Sequence, residues 1–142
     1  MTKTIRAIIS LVLSTILILS MNVWNVSAEE TLPQPRYNYT GYTSLSLNFT
    51  SSGAARCIAT AEGYDGITTK IHINMKLQQY IALQWTTIAE WTGTYNDVFG
   101  ALSKTKTVYT GRYRVKAEFK VYSGSAYEKI EMTTQEKYYT SP

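Results

Sequence analysis

Between Gly111 and Tyr122, the residues Tyr113, Val115, Ala117, Phe119 and Val121 alternate without a break with Arg112, Arg114, Lys116, Glu118 and Lys120. A period of two held over that length predicts a β-strand with one buried and one wet face, because successive side chains of a strand point to opposite sides. One strand cannot cover its own apolar face. The rest of the chain therefore has to supply a second layer, and the architecture follows from that demand.

Other stretches repeat the pattern. Alternation or β-rich composition predicts strands at about Tyr42 to Thr50, Ala54 to Glu62, Thr68 to Gln78, Leu83 to Thr94, Ala101 to Tyr109 and Tyr127 to Thr134. Ser51-Ser52-Gly53, Gly63-Tyr64-Asp65-Gly66, Thr110-Gly111 and Ser123-Gly124-Ser125 supply turns. The connection near Gln79 to Ala82 holds neither Gly nor Pro. In the strand after it, Trp85, Thr87, Ala89 and Trp91 share one parity while Ile88 has the other, so either both faces carry apolar weight or a bulge resets the register. Lys104 and Lys106 share the inward parity of Leu102 and Val108, the mark of an edge strand guarded against unwanted pairing. Seven strands with no helical period predict an all-β fold, an antiparallel β-sandwich of immunoglobulin-like type. Tyr113 sharpens the expectation: it stands two residues before Val115, as a corner tyrosine stands before the second core position, and Cys57 would be the first.

Lys3 and Arg6, the apolar block from Ala7 to Val26 and the small residues of Val26-Ser27-Ala28 form the three parts of a secretory signal peptide. Residues 1–28 are expected to be removed after Ala28. An uncleaved signal anchor is the competing reading. A stub at 29–38 carrying Pro33 and Pro35, a sandwich domain at 39–139 and a tail at 140–142 complete the organisation, the chain being read as polar from Gln135 onward. Cleavage removes two of 14 basic residues and none of the 10 acidic ones, which lowers the net charge from +4 to about +2. That value and a secreted destination argue against nucleic acid as a partner. Cys57 is the one cysteine, so no internal disulfide can form, and stability has to come from packing. A buried thiol is the expectation for it, with a disulfide to another chain as the alternative.

The runs Gly53-Ala54-Ala55-Arg56-Cys57, Met75-Lys76-Leu77-Gln78, Trp85-Thr86-Thr87-Ile88, Glu90-Trp91, Leu102-Ser103-Lys104 and Gly111-Arg112-Tyr113-Arg114-Val115 together resemble small secreted proteins of Gram-positive bacteria, mostly clostridial, of an uncharacterised domain family. The resemblance covers about Arg36 to Tyr139 and implies no assigned activity. The chain departs from the family pattern at Gln78 to Leu83, where a Gly/Ser-rich hairpin is expected. Under a bacterial resemblance, the sequons at Asn38-Tyr39-Thr40 and Asn48-Phe49-Thr50 are chance matches.

Catalytic chemistry is poorly supplied. His72 is the single histidine and falls on a wet face, whereas Cys57 falls inward, so the two do not form a nucleophile and base. One His and one Cys do not make a zinc site, and Glu62, Asp65 and Asp97 lack calcium-loop spacing. No metal or cofactor is expected. Glu90, Glu118, Glu128 and Glu131 are available as a carboxylate pair for a small secreted hydrolase, a distant reading that needs a cleft.

The stronger constellation is electrostatic. With the sixth strand between the third and the seventh, Arg112, Arg114, Lys116 and Lys120 would share one surface with Lys70, His72, Lys76 and Lys129, interrupted by Glu118 and Glu131, with Tyr127 beside them. Such a face could hold an anionic cell-envelope polymer, an acidic glycan or an extracellular protein by charge and stacking. It could equally be a solvated sheet face in which the glutamates pair the excess lysines. Trp85 and Trp91, near Tyr80 and Tyr95, raise an alternative aromatic site for sugars, against a reading as core or edge cover. The expectation is a non-enzymatic binding module without membrane contact after signal removal. Assembly through edge strands or Cys57 is the alternative.

Overall fold

The computed structural model describes residues 37–141. The expected signal peptide, its anchor alternative and most of the stub lie outside the described residues. Eight strands run in the order β1 (Thr40–Phe49), β2 (Ala54–Gly63), β3 (Lys70–Ile81), β4 (Gln84–Tyr95), β5 (Phe99–Thr107), β6 (Gly111–Ser123), β7 (Ala126–Thr133) and β8 (Lys137–Tyr139). They form two antiparallel sheets, one ordered β1-β2-β5 and one ordered β4-β3-β6-β7, with β8 also pairing to β6.

Alternation decides what each strand buries. Tyr113, Val115, Ala117, Phe119 and Val121 of β6 and Ile71, Ile73, Met75 and Leu77 of β3 face inward from the larger sheet. They meet Leu47, Ala55, Cys57, Ala59, Ala61 and Leu102 of the smaller one in a single core. Cys57 and Val115 are both fully buried, on opposite sheets, and no sulfur bridge joins them. Tyr113 Oη donates to the Tyr109 carbonyl at 2.7 Å, which ties the turn before β6 to the core. β5 is an edge strand with Lys104 and Lys106 exposed, as the lysine parity predicts.

Three details differ from expectation. The stretch read as a polar tail holds β8, because Tyr139 buries its ring 4.9 Å from Phe49 and Lys137 Nζ donates to the Leu47 carbonyl at 2.7 Å. The strand count is accordingly eight rather than seven. The connection expected near Gln79 to Ala82 is mostly strand: β3 continues to Ile81, and the chain reverses at Ala82 and Leu83, with φ of 47° and 65°. That is a two-residue hairpin turn with both central residues left-handed, made without the Asn or Gly such turns favour. Finally, a bulge between Leu77 and Gln78 of β3, opposite Ile88, resets the register of β4. The two tryptophans therefore point to opposite faces.

Candidate functional site

The outer face of the larger sheet is built row by row from strand register. At one end Lys70 faces Tyr122, which faces Tyr127. The next row runs Thr94, His72, Lys120 and Lys129, and the one after it Thr92, Asn74, Glu118 and Glu131. Glu90, Lys76, Lys116 and Thr133 follow, then Thr87, Gln78 and Arg114. Tyr80 paired with Trp85 closes the far end, next to Arg112 and Tyr138. Lys70 to Tyr80 along β3 spans about 33 Å at ~3.3 Å per residue. All nine residues of the predicted basic surface (Arg112, Arg114, Lys116, Lys120, Lys70, His72, Lys76, Lys129 and Tyr127) thus share one face.

Like charges stand directly opposite one another in several rows, an unfavourable arrangement on its own. Carboxylates beside them compensate, along a strand, diagonally between strands or, for Glu90 and Lys76, directly across. Glu118 lies 3.4 Å from Lys120 and 3.6 Å from Lys129, Glu131 lies 2.8 Å from Lys129, and Glu90 lies 3.4 Å from Lys76. Glu131 holds the Lys129 ammonium above its ordinary pKa by hydrogen bond and charge, and Lys129 in return holds Glu131 below its own. Asn74 Nδ2 donates to Glu90 Oε1 at 2.8 Å and, with Lys76, keeps that carboxyl low. His72 Nδ1 and Thr94 Oγ1 are 2.8 Å apart. The glutamates therefore do pair much of the lysine excess. Lys116 forms no ion pair among the described residues.

At the two ends, cations lie on rings instead of carboxylates. Lys70 Nζ stands 4.0 Å from the Tyr122 ring centre and Lys120 Nζ 5.6 Å from that of Tyr127, the two rings being 5.2 Å apart. At the other end Arg114 Cζ sits 4.3 Å over Trp85 and Arg112 Cζ 4.5 Å over Tyr80, again with the rings 5.2 Å apart. Gln78 Oε1 accepts from Arg114 Nε at 2.9 Å and fixes the guanidinium plane, while Arg112 also reaches Glu136 at 3.1 Å. Between the ends lies an open depression of about 430 Å³ lined by Asn74, Lys76, Gln78, Thr87, Lys116, Glu118 and Glu131.

The aromatic alternative divides. Trp85 belongs to the basic face, whereas Trp91 faces Met75 across the inner side and packs on the core. The pair cannot form one site, because the Ile88 bulge separates their parities. Reading the sequence alone missed Tyr80 and Tyr122 as members of this face. The outward parity of Tyr122 in the β6 alternation was the signal available for it.

The candidate carboxylates have other duties. Glu128 accepts hydrogen bonds from the Asn38 and Tyr39 amides and the Thr40 hydroxyl, pinning the start of β1 to β7. Glu118 and Glu131 are cross-strand neighbours in the depression, a spacing that resembles a hydrolytic pair. Both hold Lys129, however, and the lowered Glu131 is the opposite of the raised carboxyl that a general acid requires. Burial pushes the Cys57 thiol up to about 12, so it stays protonated, and its sulfur is withdrawn from any partner chain. Among the described residues no three His, Cys, Asp or Glu side chains gather as a metal site would need. Comparison with protein-family models, with curated proteins and with solved structures finds no match to this chain.

Proposed function

We propose that this chain is a secreted, non-enzymatic sandwich of immunoglobulin-like topology whose larger sheet binds an extended anionic polymer of the cell envelope along its outer face. The topology reading is supported by the placement of β6 between β3 and β7, by the Tyr113 corner bond and by the unbridged Cys57 and Val115 positions. In that reading the fourth strand has joined the larger sheet. The secreted destination rests on the signal-peptide pattern before Glu29.

One observation carries the binding reading: two clusters of cations on aromatic rings bracket an open depression lined by Lys116, which forms no ion pair among the described residues. A flat, continuous face of about 33 Å suits a chain-like ligand lying along the strands rather than a small molecule in a cleft. Rings and guanidiniums at its ends offer stacking and bidentate contacts to sugar faces and to phosphate or carboxylate groups. The seven cations Lys70, Lys76, Arg112, Arg114, Lys116, Lys120 and Lys129 exceed the four carboxylates Glu90, Glu118, Glu131 and Glu136. The polymer would answer that surplus.

The test is retention of the secreted protein on immobilised poly(glycerol phosphate) across a salt series. Binding of this kind is expected at low ionic strength and should be lost by about 0.5 M salt, where screening is short-ranged. Lys116→Ala, and Arg112→Ala combined with Arg114→Ala, should each weaken it. Retention indifferent to both salt and these substitutions would sink the proposal.

Assembly through an edge is the second reading, favoured by β4. This strand is free along one side for twelve residues and carries one charged residue, Glu90. A concentration-dependent rise in mass on size-exclusion chromatography, abolished by Thr87→Pro, is its expected signature.

A further inference from the structure

The β3–β4 hairpin turn is conformationally expensive and apolar, and it projects outward. Ala82 and Leu83 both sit at positive φ, 47° and 65°, where a Cβ atom crowds the following carbonyl and Asn-Gly would be at ease. Leu83 is 88% exposed and Ile81 44%. Strain held at an exposed apolar position calls for a benefit outside the folded core.

The surroundings supply the rest. β6 begins and β8 ends at this same end of the sandwich, with Gly111 facing Tyr139 and Arg112 facing Tyr138. Tyr109, 77% exposed, and Tyr138, 65% exposed, are with Leu83 the three most exposed large hydrophobic side chains among the described residues. All three lie at one end. Trp85 and Tyr80 stand just behind the turn, each under an arginine. Among the described residues, the strand ends here also carry Arg56, Lys106 and Lys137 beside Arg112 and Arg114, against Glu136 as the one side-chain carboxylate. At the opposite end Glu62, Asp65, Asp97 and Glu128 stand against Lys70, Lys120 and Lys129, so that the charges there nearly cancel. The molecule is therefore polarised along its strands, positive at the apolar tip.

The geometry points to this end as a docking surface for an anionic lipid bilayer: Leu83 and Ile81 enter the boundary between headgroups and acyl chains, the ring belt of Trp85, Tyr80, Tyr109 and Tyr138 lies at headgroup level, and Arg112 and Arg114 meet lipid phosphates. Amphipathic rings favour that depth, and basic residues beside a negative leaflet add attraction that falls off within a Debye length. A polymer lying along the sheet gives no role to Leu83, which is at the tip and not on the face. The inference revises the expectation that nothing after signal removal touches a membrane.

The experiment is co-sedimentation of the secreted protein, confirmed by mass to start at Glu29, with vesicles of phosphatidylglycerol and phosphatidylcholine and with vesicles of phosphatidylcholine alone. Binding is expected to the first and about tenfold weaker to the second, with a blue shift of tryptophan emission that Trp85→Phe removes. The decisive variant is Ala82→Asn with Leu83→Gly, which relieves the backbone. Its Tm should rise by about 4–8 °C, so lost binding cannot be lost folding. Vesicle binding should fall about tenfold while retention on poly(glycerol phosphate) is unchanged, which separates this site from the sheet face. Equal sedimentation of variant and wild type, or no sedimentation of the wild type with anionic vesicles, overturns the inference. Arg112→Ala with Arg114→Ala should also weaken vesicle binding, but loss in that variant while Ala82→Asn with Leu83→Gly binds as the wild type does would describe charge adsorption without insertion and overturns the inference too.

Discussion

At the scale of single residues, two buried groups set measurable terms in stability. Cys57 keeps its proton in the folded state to about pH 12, while in the unfolded chain it titrates near its ordinary 9.0. Between those values the unfolded state binds fewer protons than the folded one, so the free energy of unfolding must fall as pH rises. The slope approaches about 1.4 kcal/mol per pH unit for this group alone. Denaturant titrations at intervals from pH 8.5 upward should show that decline in the wild type and a shallower one in Cys57→Ala. Parallel curves would mean that the thiol ionises in the folded protein. Tyr113 contributes differently. Replacing it with Phe leaves the ring in the core but strands the Tyr109 carbonyl, and the midpoint of urea unfolding should move by the equivalent of about 1–1.5 kcal/mol. The importance of both residues was legible in the sequence, Cys57 from its apolar parity and Tyr113 from its distance to Val115. The stacking of Arg112 on Tyr80 and of Arg114 on Trp85 was not, because cation–ring contacts depend on which strands become neighbours.

At the scale of elements, β4 joins the two layers. The ring of Tyr95 lies across Gly93 and Gly100, and its hydroxyl donates to the Ala101 carbonyl at 2.7 Å, so it clamps the end of β4 to the start of β5. A Cβ at Gly100 would stand 2.6 Å from Tyr95 Cδ2. Gly100→Ala should therefore destabilise the fold by about 1–3 kcal/mol, read as a lowered thermal midpoint, and Tyr95→Leu in the same chain should recover part of the loss. Strands with strict alternation, β3 and β6 above all, could be placed from sequence because one buried face fixes their phase. β4 could not be phased, since one extra residue at Ile88 reverses everything beyond it. The Ala82-Leu83 reversal was illegible for a related reason: it uses residues that no turn preference selects. β8 was hidden in a polar stretch, where Tyr139 alone carries the burial.

At the scale of the whole molecule, the sandwich carries its start and its close at opposite ends. Thr40 pairs with Gly63 at one end, and Tyr139 pairs with Gly111 at the other, beside the hairpin. Tension applied between these points runs parallel to the strands. β1 could then leave only by sliding along β2, and β8 only by sliding along β6, so many ladder bonds resist at once instead of opening one by one. The Lys137 bond to the Leu47 carbonyl and the Tyr139 ring on Phe49 couple β8 to β1 across the core. A protein held by its N-terminal side while its far tip grips a surface would thus be loaded in shear, the direction in which a sheet yields last.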